Sequence, residues 1–228
     1  MAKEIKNENA EAVAEAVSKT ELFFTENKKV LLTVLAVILV AGAAFFCWHK
    51  FINQPKVEEA QAQMALAEAN FRNAADSTGY ALALRGDGNV LGFEQIIDEY
   101  GSKAGTSVYF YAGICEYNLK NYSQAISYLK SYKGKEDILA ARALACIGDC
   151  QVNMDDLKGA ISSFEKAASK ADNMFAADYL LKAGIAAEAA GDKAKALSFY
   201  KKVKEQYPMS ELPSAREIEK YISRIEAV

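Results

Sequence analysis

Tyr109–Leu129 reads YFYAGICEYNLKNYSQAISYL, Leu144–Phe164 reads LACIGDCQVNMDDLKGAISSF, and Leu180–Tyr200 reads LLKAGIAAEAAGDKAKALSFY. Laid over one another, the three stretches share a frame. Gly113, Gly148 and Gly184 stand 35 and 36 residues apart. A bulky residue lies four before each glycine (Tyr109, Leu144, Leu180), and an alanine lies twelve after it (Ala125, Ala160, Ala196). Another bulky residue follows four further on (Leu129, Phe164, Tyr200). Between the two halves fall the turn-like pairs Lys120-Asn121, Asp155-Asp156 and Gly191-Asp192. A fixed period of this length marks a stacked array, because one supersecondary unit cannot bury its apolar face alone. The small residues let two helices approach closely, and the bulky ones fill the space between neighbouring units.

These residues resemble the tetratricopeptide repeat family, whose unit of about 34 residues is a pair of antiparallel helices. Pro208, 24 residues after Gly184, matches the terminal proline of that repeat, while Asp137 and Asp172 hold its place in the other two. The resemblance implies an all-α solenoid with repeats at about 106–139, 141–174 and 177–210. It also implies a concave groove, lined by the first helix of each repeat, that receives a peptide or partner segment. The family's groove positions fall on Phe110, Ile114, Tyr117 and Asn118 in the first repeat. They fall on Arg142, Ala145, Asp149 and Asn153 in the second, and on Asp178, Leu181, Ile185 and Glu188 in the third. Chaperone-binding members clamp a C-terminal carboxylate with Lys, Arg and Asn at several of these places. Phe110, Ala145 and Leu181 stand where basic residues are wanted, which implies an apolar or mixed partner surface instead. Seven of the twelve tyrosines lie between Tyr100 and Tyr132. Tyr109, Tyr122 and Tyr128 sit at or beside packing positions, whereas the helical phase of Tyr117 faces the groove.

Outward from the repeats, residues 53–105 read as a linker helix and a degenerate first repeat. Its helices are expected at 57–75 and 90–100, with Pro55 opening the first and Asp76-Ser77-Thr78-Gly79 ending it. Arg85-Gly86-Asp87-Gly88-Asn89 forms an inserted loop. It contains an adhesion-type tripeptide and part of a calcium-loop pattern, both too short to carry function. At the other end, 211–228 reads as a capping helix, from Pro213 to Ala227, with Ile218, Tyr221, Ile222 and Ile225 at helical spacing.

The composition agrees with helices throughout: 40 Ala against only 13 Gly and 3 Pro. Alanine is the best helix former, and glycine and proline are the worst. A net charge of −3 argues against nucleic acid as a partner, since phosphate neutralisation needs clustered basic residues. The near-neutral mean hydropathy of −0.07 averages over one extreme segment. Val30–Trp48, VLLTVLAVILVAGAAFFCW, runs 19 residues without a charge, about 29 Å of helix against a hydrocarbon core of about 30 Å. A transmembrane helix is therefore expected over 30–52, with Trp48 at the lipid–water boundary. A cleaved signal peptide would be shorter in its apolar run. Lys19, Lys28 and Lys29 before the span, against Lys50 and Lys56 after it, place the tail 1–29 in the cytoplasm. Within that tail, Val13, Val17, Thr20 and Phe24 make one weak apolar stripe. Cys115, Cys146 and Cys150 read as small apolar core residues rather than disulfide partners.

The residues offer no catalytic set. The single histidine, His49, lies at the membrane boundary, so no Ser-His-Asp or Cys-His relay can form. Cys146 and Cys150 supply only two of the four ligands zinc requires, and no glycine-rich phosphate loop occurs. No cofactor, metal or small-molecule substrate is expected. A short tail, one span and a tetratricopeptide array, with the stretch GFEQIIDEYGSKAG before it, resemble the ancillary subunit of the bacterial Sec translocon. That resemblance implies a single-pass protein of the bacterial inner membrane, with periplasmic repeats. Its partners would be translocon subunits, chaperones or nascent polypeptides during envelope-protein biogenesis. A self-assembling structural envelope protein and, with reversed topology, a cytoplasm-facing recruitment receptor are the alternatives.

Overall fold

The computed structural model describes Ser18 and residues 21–171, 175–208 and 217–227. The positions Val13, Val17, Lys19, Thr20, Asp172 and Pro213 lie outside these residues. The chain divides after Pro55 into two compact units.

In the first unit, 21–26 is helical and α1 spans Lys28–Trp48. None of the α1 residues is buried, and Val37, Ile38, Leu39, Val40, Phe45 and Phe46 are all more than 60% exposed. A helix apolar on every side has no water-facing surface to stabilise it in solution. Among the described residues it is the one segment long and apolar enough to cross a membrane. A π-helical turn, His49–Asn53, follows, in which the Gln54 N–H reaches the His49 carbonyl. Pro55 therefore does not open a new helix. It sits just inside α2, Gln54–Asn73, and the wider turn before it accommodates a ring that removes a donor and crowds the preceding carbonyls.

The second unit is built from helical hairpins. Repeat one pairs α5 (Ser107–Asn118) with α6 (Tyr122–Ser131). Repeat two pairs α7 (Asp137–Asn153) with α8 (Leu157–Ala171), and repeat three pairs α9 (Ala176–Ala189) with α10 (Lys193–Gln206). Each hairpin closes where the sequence places its invariant spacing. A Cβ on Gly113 would stand 2.6 Å from Leu129 Cγ, and one on Gly148 2.6 Å from Phe164 Cε1. One on Gly184 would collide with the Tyr200 ring. Ala125, Ala160 and Ala196 are fully buried beside these contacts. The glycine and the bulky residue sixteen later are thus the two halves of one close approach, repeated three times.

The hairpin turns share one geometry. Lys120, Asp155 and Gly191 take φ of 66°, 61° and 81°. The next residue's N–H bonds back five positions: Asn121 to Glu116 O at 2.9 Å, Asp156 to Gln151 O at 2.8 Å, Asp192 to Ala187 O at 2.9 Å. This is the left-handed helix stop that satisfies the last free carbonyls. The same residue then starts the second helix. Asp156 and Asp192 accept from the Gly159 and Lys195 N–H groups at 3.0 and 2.9 Å.

Upstream, the structure corrects the expected element boundaries. Asp76-Ser77-Thr78-Gly79 is a helix start, with Asp76 Oδ1 accepting from Gly79 N at 2.9 Å, and α3 runs Ser77–Arg85. The next helix, α4, begins at Phe93 rather than Val90 and ends at Tyr100. Helices α3 and α4 pack together and against α5, and α2 joins the same core through Met64, Ala67 and Phe71, so an additional helix, α3, lies between the two expected at 57–75 and 90–100. Between them the 85–89 loop folds on itself. Asp87 Oδ1 accepts from Asn89 N and Val90 N, both at 2.8 Å, and these bonds hold its carboxyl below the usual range.

At the far end, α11 (Ile218–Glu226) buries Ile218 and Ile222 on the core of repeat three. Lys201–Glu226, Lys204–Glu219 and Arg224–Glu188 pairs at 2.9, 2.7 and 2.6 Å fasten its flanks.

Candidate partner-binding groove

The first helices of the three repeats, α5, α7 and α9, line a groove of about 680 Å³ with a wall from α2 and α3. From α5 come Ile114, Tyr117 and Asn118; from α7 come Ile138, Arg142, Ala145, Cys146 and Asp149. Phe175, Asp178, Tyr179 and Lys182 belong to the α9 side, and Phe71, Arg72, Ala74 and Tyr80 to the opposing wall. The contributions from α7 and α9 recur at i, i+3, i+4 and i+7 spacing, the stripe of a single helix face.

Of the sequence-derived groove positions, Ile114, Tyr117, Asn118, Arg142, Ala145, Asp149 and Asp178 come together here. Phe110, Leu181, Asn153, Ile185 and Glu188 do not line it. Phe110 is buried in the repeat interior, 5.7 Å from the rings of both Tyr111 and Tyr132. Leu181 packs on the core of repeat three. Asn153 bonds its own helix through Asp149 O at 2.8 Å. Glu188 accepts from Tyr200 at 3.0 Å and from Arg224 at 2.6 Å, so it serves the capping helix rather than a partner.

Three residues before the glycine, Phe110 and Leu181 pack inward while Ala145 lines the groove; two before it, Cys146 and Lys182 line the groove while Tyr111 packs inward, 5.2 Å from the Phe71 ring and 5.3 Å from the Phe93 ring. A one-residue step rotates a side chain by about 100°, enough to exchange groove for core. Lys182, Tyr179 and Phe175 were missed for this reason. The i, i+3, i+4, i+7 run Phe175-Asp178-Tyr179-Lys182 is the signal that finds them, with Asp178 and Lys182 standing 36 residues after the groove-lining Arg142 and Cys146. The absence of basic residues at Phe110, Ala145 and Leu181 does not leave the groove without positive charge, because Arg72, Arg142 and Lys182 all line it.

Charge is arranged within the groove as well as collected there. Lys182 Nζ donates to both Asp149 oxygens, at 2.8 and 2.7 Å, and lies 5.7 Å above the Phe164 ring. Each partner's charge is largely offset by the other. Arg72 pairs loosely with Glu68 at 3.8 Å on its own helix. The Tyr117 hydroxyl titrates above its ordinary value because burial disfavours the phenolate and Asp149 adds to the effect. Burial also raises Tyr179, against the pull of Arg142. Both phenols therefore remain neutral hydrogen-bond donors. Ile138 and Phe175 are 55% and 39% exposed, leaving large apolar side chains open at the groove.

The thiols do not compete for a chemical role. Burial pushes Cys115 up to about 12. Cys146 is raised by its hydrogen bond to Cys150 and by burial, so it stays protonated beside the groove. Among the described residues, no three His, Cys, Asp or Glu side chains come close enough to hold a metal ion.

Comparison with known proteins agrees with the architecture. The tetratricopeptide repeat model matches residues 107–135 and 178–210. The intervening hairpin, α7/α8, lies between the matches and repeats their close approach of a glycine to a bulky side chain. No curated protein sequence matches the chain. The crystal structure of MamA protein is similar at a TM-score of 0.54, with 16% sequence identity over 75% of this chain and 87% of that one. At that identity the likeness speaks for the fold alone. The chain is an all-α repeat solenoid with an N-terminal apolar helix, and its repeats imply a protein–protein interaction scaffold.

Proposed function

We propose that this protein is a membrane-anchored scaffold whose groove receives a polypeptide partner at the Sec translocon, with hand-over to periplasmic chaperones. The observation that carries the reading is the groove itself, in which the first helices of three successive repeats leave aromatic, apolar and charged side chains open. A concavity lined this way suits a chain segment better than a rigid small molecule, since it offers distributed contacts. The fully exposed apolar helix α1 supports anchoring, because a bilayer is the environment that covers such a surface. Lysine placement favours a cytoplasmic tail and repeats outside the inner membrane. No side chain is assigned a chemical step.

The reading is tested with a photoreactive amino acid in place of Tyr117, irradiated in living cells. Adducts with a translocon subunit, a secretory chaperone or a nascent polypeptide are expected. Adducts confined to proteins of other processes would overturn the Sec assignment, and a groove that captures no protein would overturn the scaffold reading.

A further inference from the structure

Arg142 and Asp178 occupy the same place in neighbouring repeats, six residues before Gly148 and Gly184. Both line the groove. The neighbouring Lys182 and Asp149 neutralise one another across the same two helices. Arg142 and Asp178 make no ion pair with each other or with any described residue, although their fields act in opposite directions on the Tyr179 hydroxyl. The groove therefore carries one open cation on α7 and one open carboxylate on α9. Tyr117 and Ile114 line the groove from α5, which packs on α7, whereas the carboxylate is on α9.

From this charge order we propose that the groove selects an extended polypeptide segment bearing, in sequence, an aromatic or large apolar residue, an acidic residue and a basic residue. The acid pairs with Arg142, the base pairs with Asp178, and the apolar residue packs on Ile114 and Tyr117. Adjacent packed helices lie about 8–10 Å apart. An extended chain rises about 3.3 Å per residue, so acid and base are separated by about three positions. The partner is thereby recognised by an internal charge order rather than by a chain terminus, and the paired Asp149–Lys182, about one to two turns further along α7 and α9, adds no competing net charge. This inference rests on the groove being a polypeptide site.

The test uses the full chain in detergent micelles and two fluorescent twelve-residue peptides of identical composition. One carries Phe, Glu and Lys in that order at three-residue steps; the other exchanges Glu and Lys. Fluorescence anisotropy is expected to give at least fivefold tighter binding of the first. In the Arg142→Asp, Asp178→Arg double variant the preference is expected to reverse, and in Arg142→Gln to disappear. Circular dichroism and thermal melts of each variant establish that it folds. Equal affinity for the two peptides, a preference that survives the charge exchange, or no binding of either peptide overturns the proposal. Capture of proteins at Tyr117 in cells, together with indifference to peptide charge order, would leave the scaffold reading standing while this one fails.

Discussion

Lys120, Asp155 and Gly191 are three solutions to one backbone requirement. All three end a helix in the left-handed region, yet only the third is a glycine, the residue that reaches it without a Cβ penalty. Lys120→Gly and Asp155→Gly are each expected to raise stability by about 0.5–1 kcal/mol, and Gly191→Ala to lower it by about 1 kcal/mol, in urea unfolding of the detergent-solubilised protein. The close-approach glycines behave differently, since there the obstacle is a neighbouring side chain. Gly184→Ala drives a methyl into the fully buried Tyr200 ring and is expected to cost about 1–3 kcal/mol. The turn pairs and the glycine-to-bulky spacing were readable because each is fixed along the chain. Which neighbour faced the groove was not readable at single-residue accuracy. Phe110, Leu181 and Lys182 lie close to the border between interior and concave side, and one step along a helix changes the outcome.

Elements tell the same story in a different form. Asp76-Ser77-Thr78-Gly79 contains residues that serve equally as a turn or as a helix cap, and the short α3 adds little periodicity to separate them. The capping helix was easier to see, because its isoleucines recur at helical spacing. Ile222 is buried against repeat three, and Ile222→Ala is expected to destabilise by about 2–4 kcal/mol. Arg224 is half exposed, so Arg224→Ala should cost under about 1 kcal/mol despite its 2.6 Å contact with Glu188. Where α4 meets repeat one, Glu94 titrates above its ordinary value of 4.5, chiefly through burial and then through Glu116. A carboxyl with a raised folded-state pKa holds its proton longer folded than unfolded. Its contribution is therefore fully present below the unfolded value and is lost as pH rises through the folded one. Glu94→Gln is expected to increase the melting temperature at pH 7 and to reduce its difference from that at pH 4. An unchanged pH profile would contradict the assignment.

Across the whole molecule, two segments of similar composition have opposite fates. The alanines of the repeats vanish into close helix contacts, whereas those of α1 dilute a helix whose every side is exposed. Length and lack of charge made that helix legible, and a 35-residue period made the solenoid legible; sidedness rests on a difference of one lysine. On the topology proposed above, a cysteine placed at Asn89 in the full chain, where the loop is exposed, is expected to react with a membrane-impermeant maleimide outside the inner membrane of spheroplasts. Labelling only after lysis would reverse the orientation. Native Cys115, Cys146 and Cys150 are buried and Cys47 lies within α1, so the signal above that of the parent chain reports the introduced thiol.

The groove is the centre of the account, and it is tested most directly by comparing two photoreactive positions in the same cells. One replaces Tyr117 on the concave side; the other replaces exposed Lys166 on α8, away from the groove lining. Discrete protein adducts from Tyr117 with none from Lys166 are the expected result. Equal capture at both positions, or capture from Lys166 alone, would contradict a partner-binding groove on the first helices.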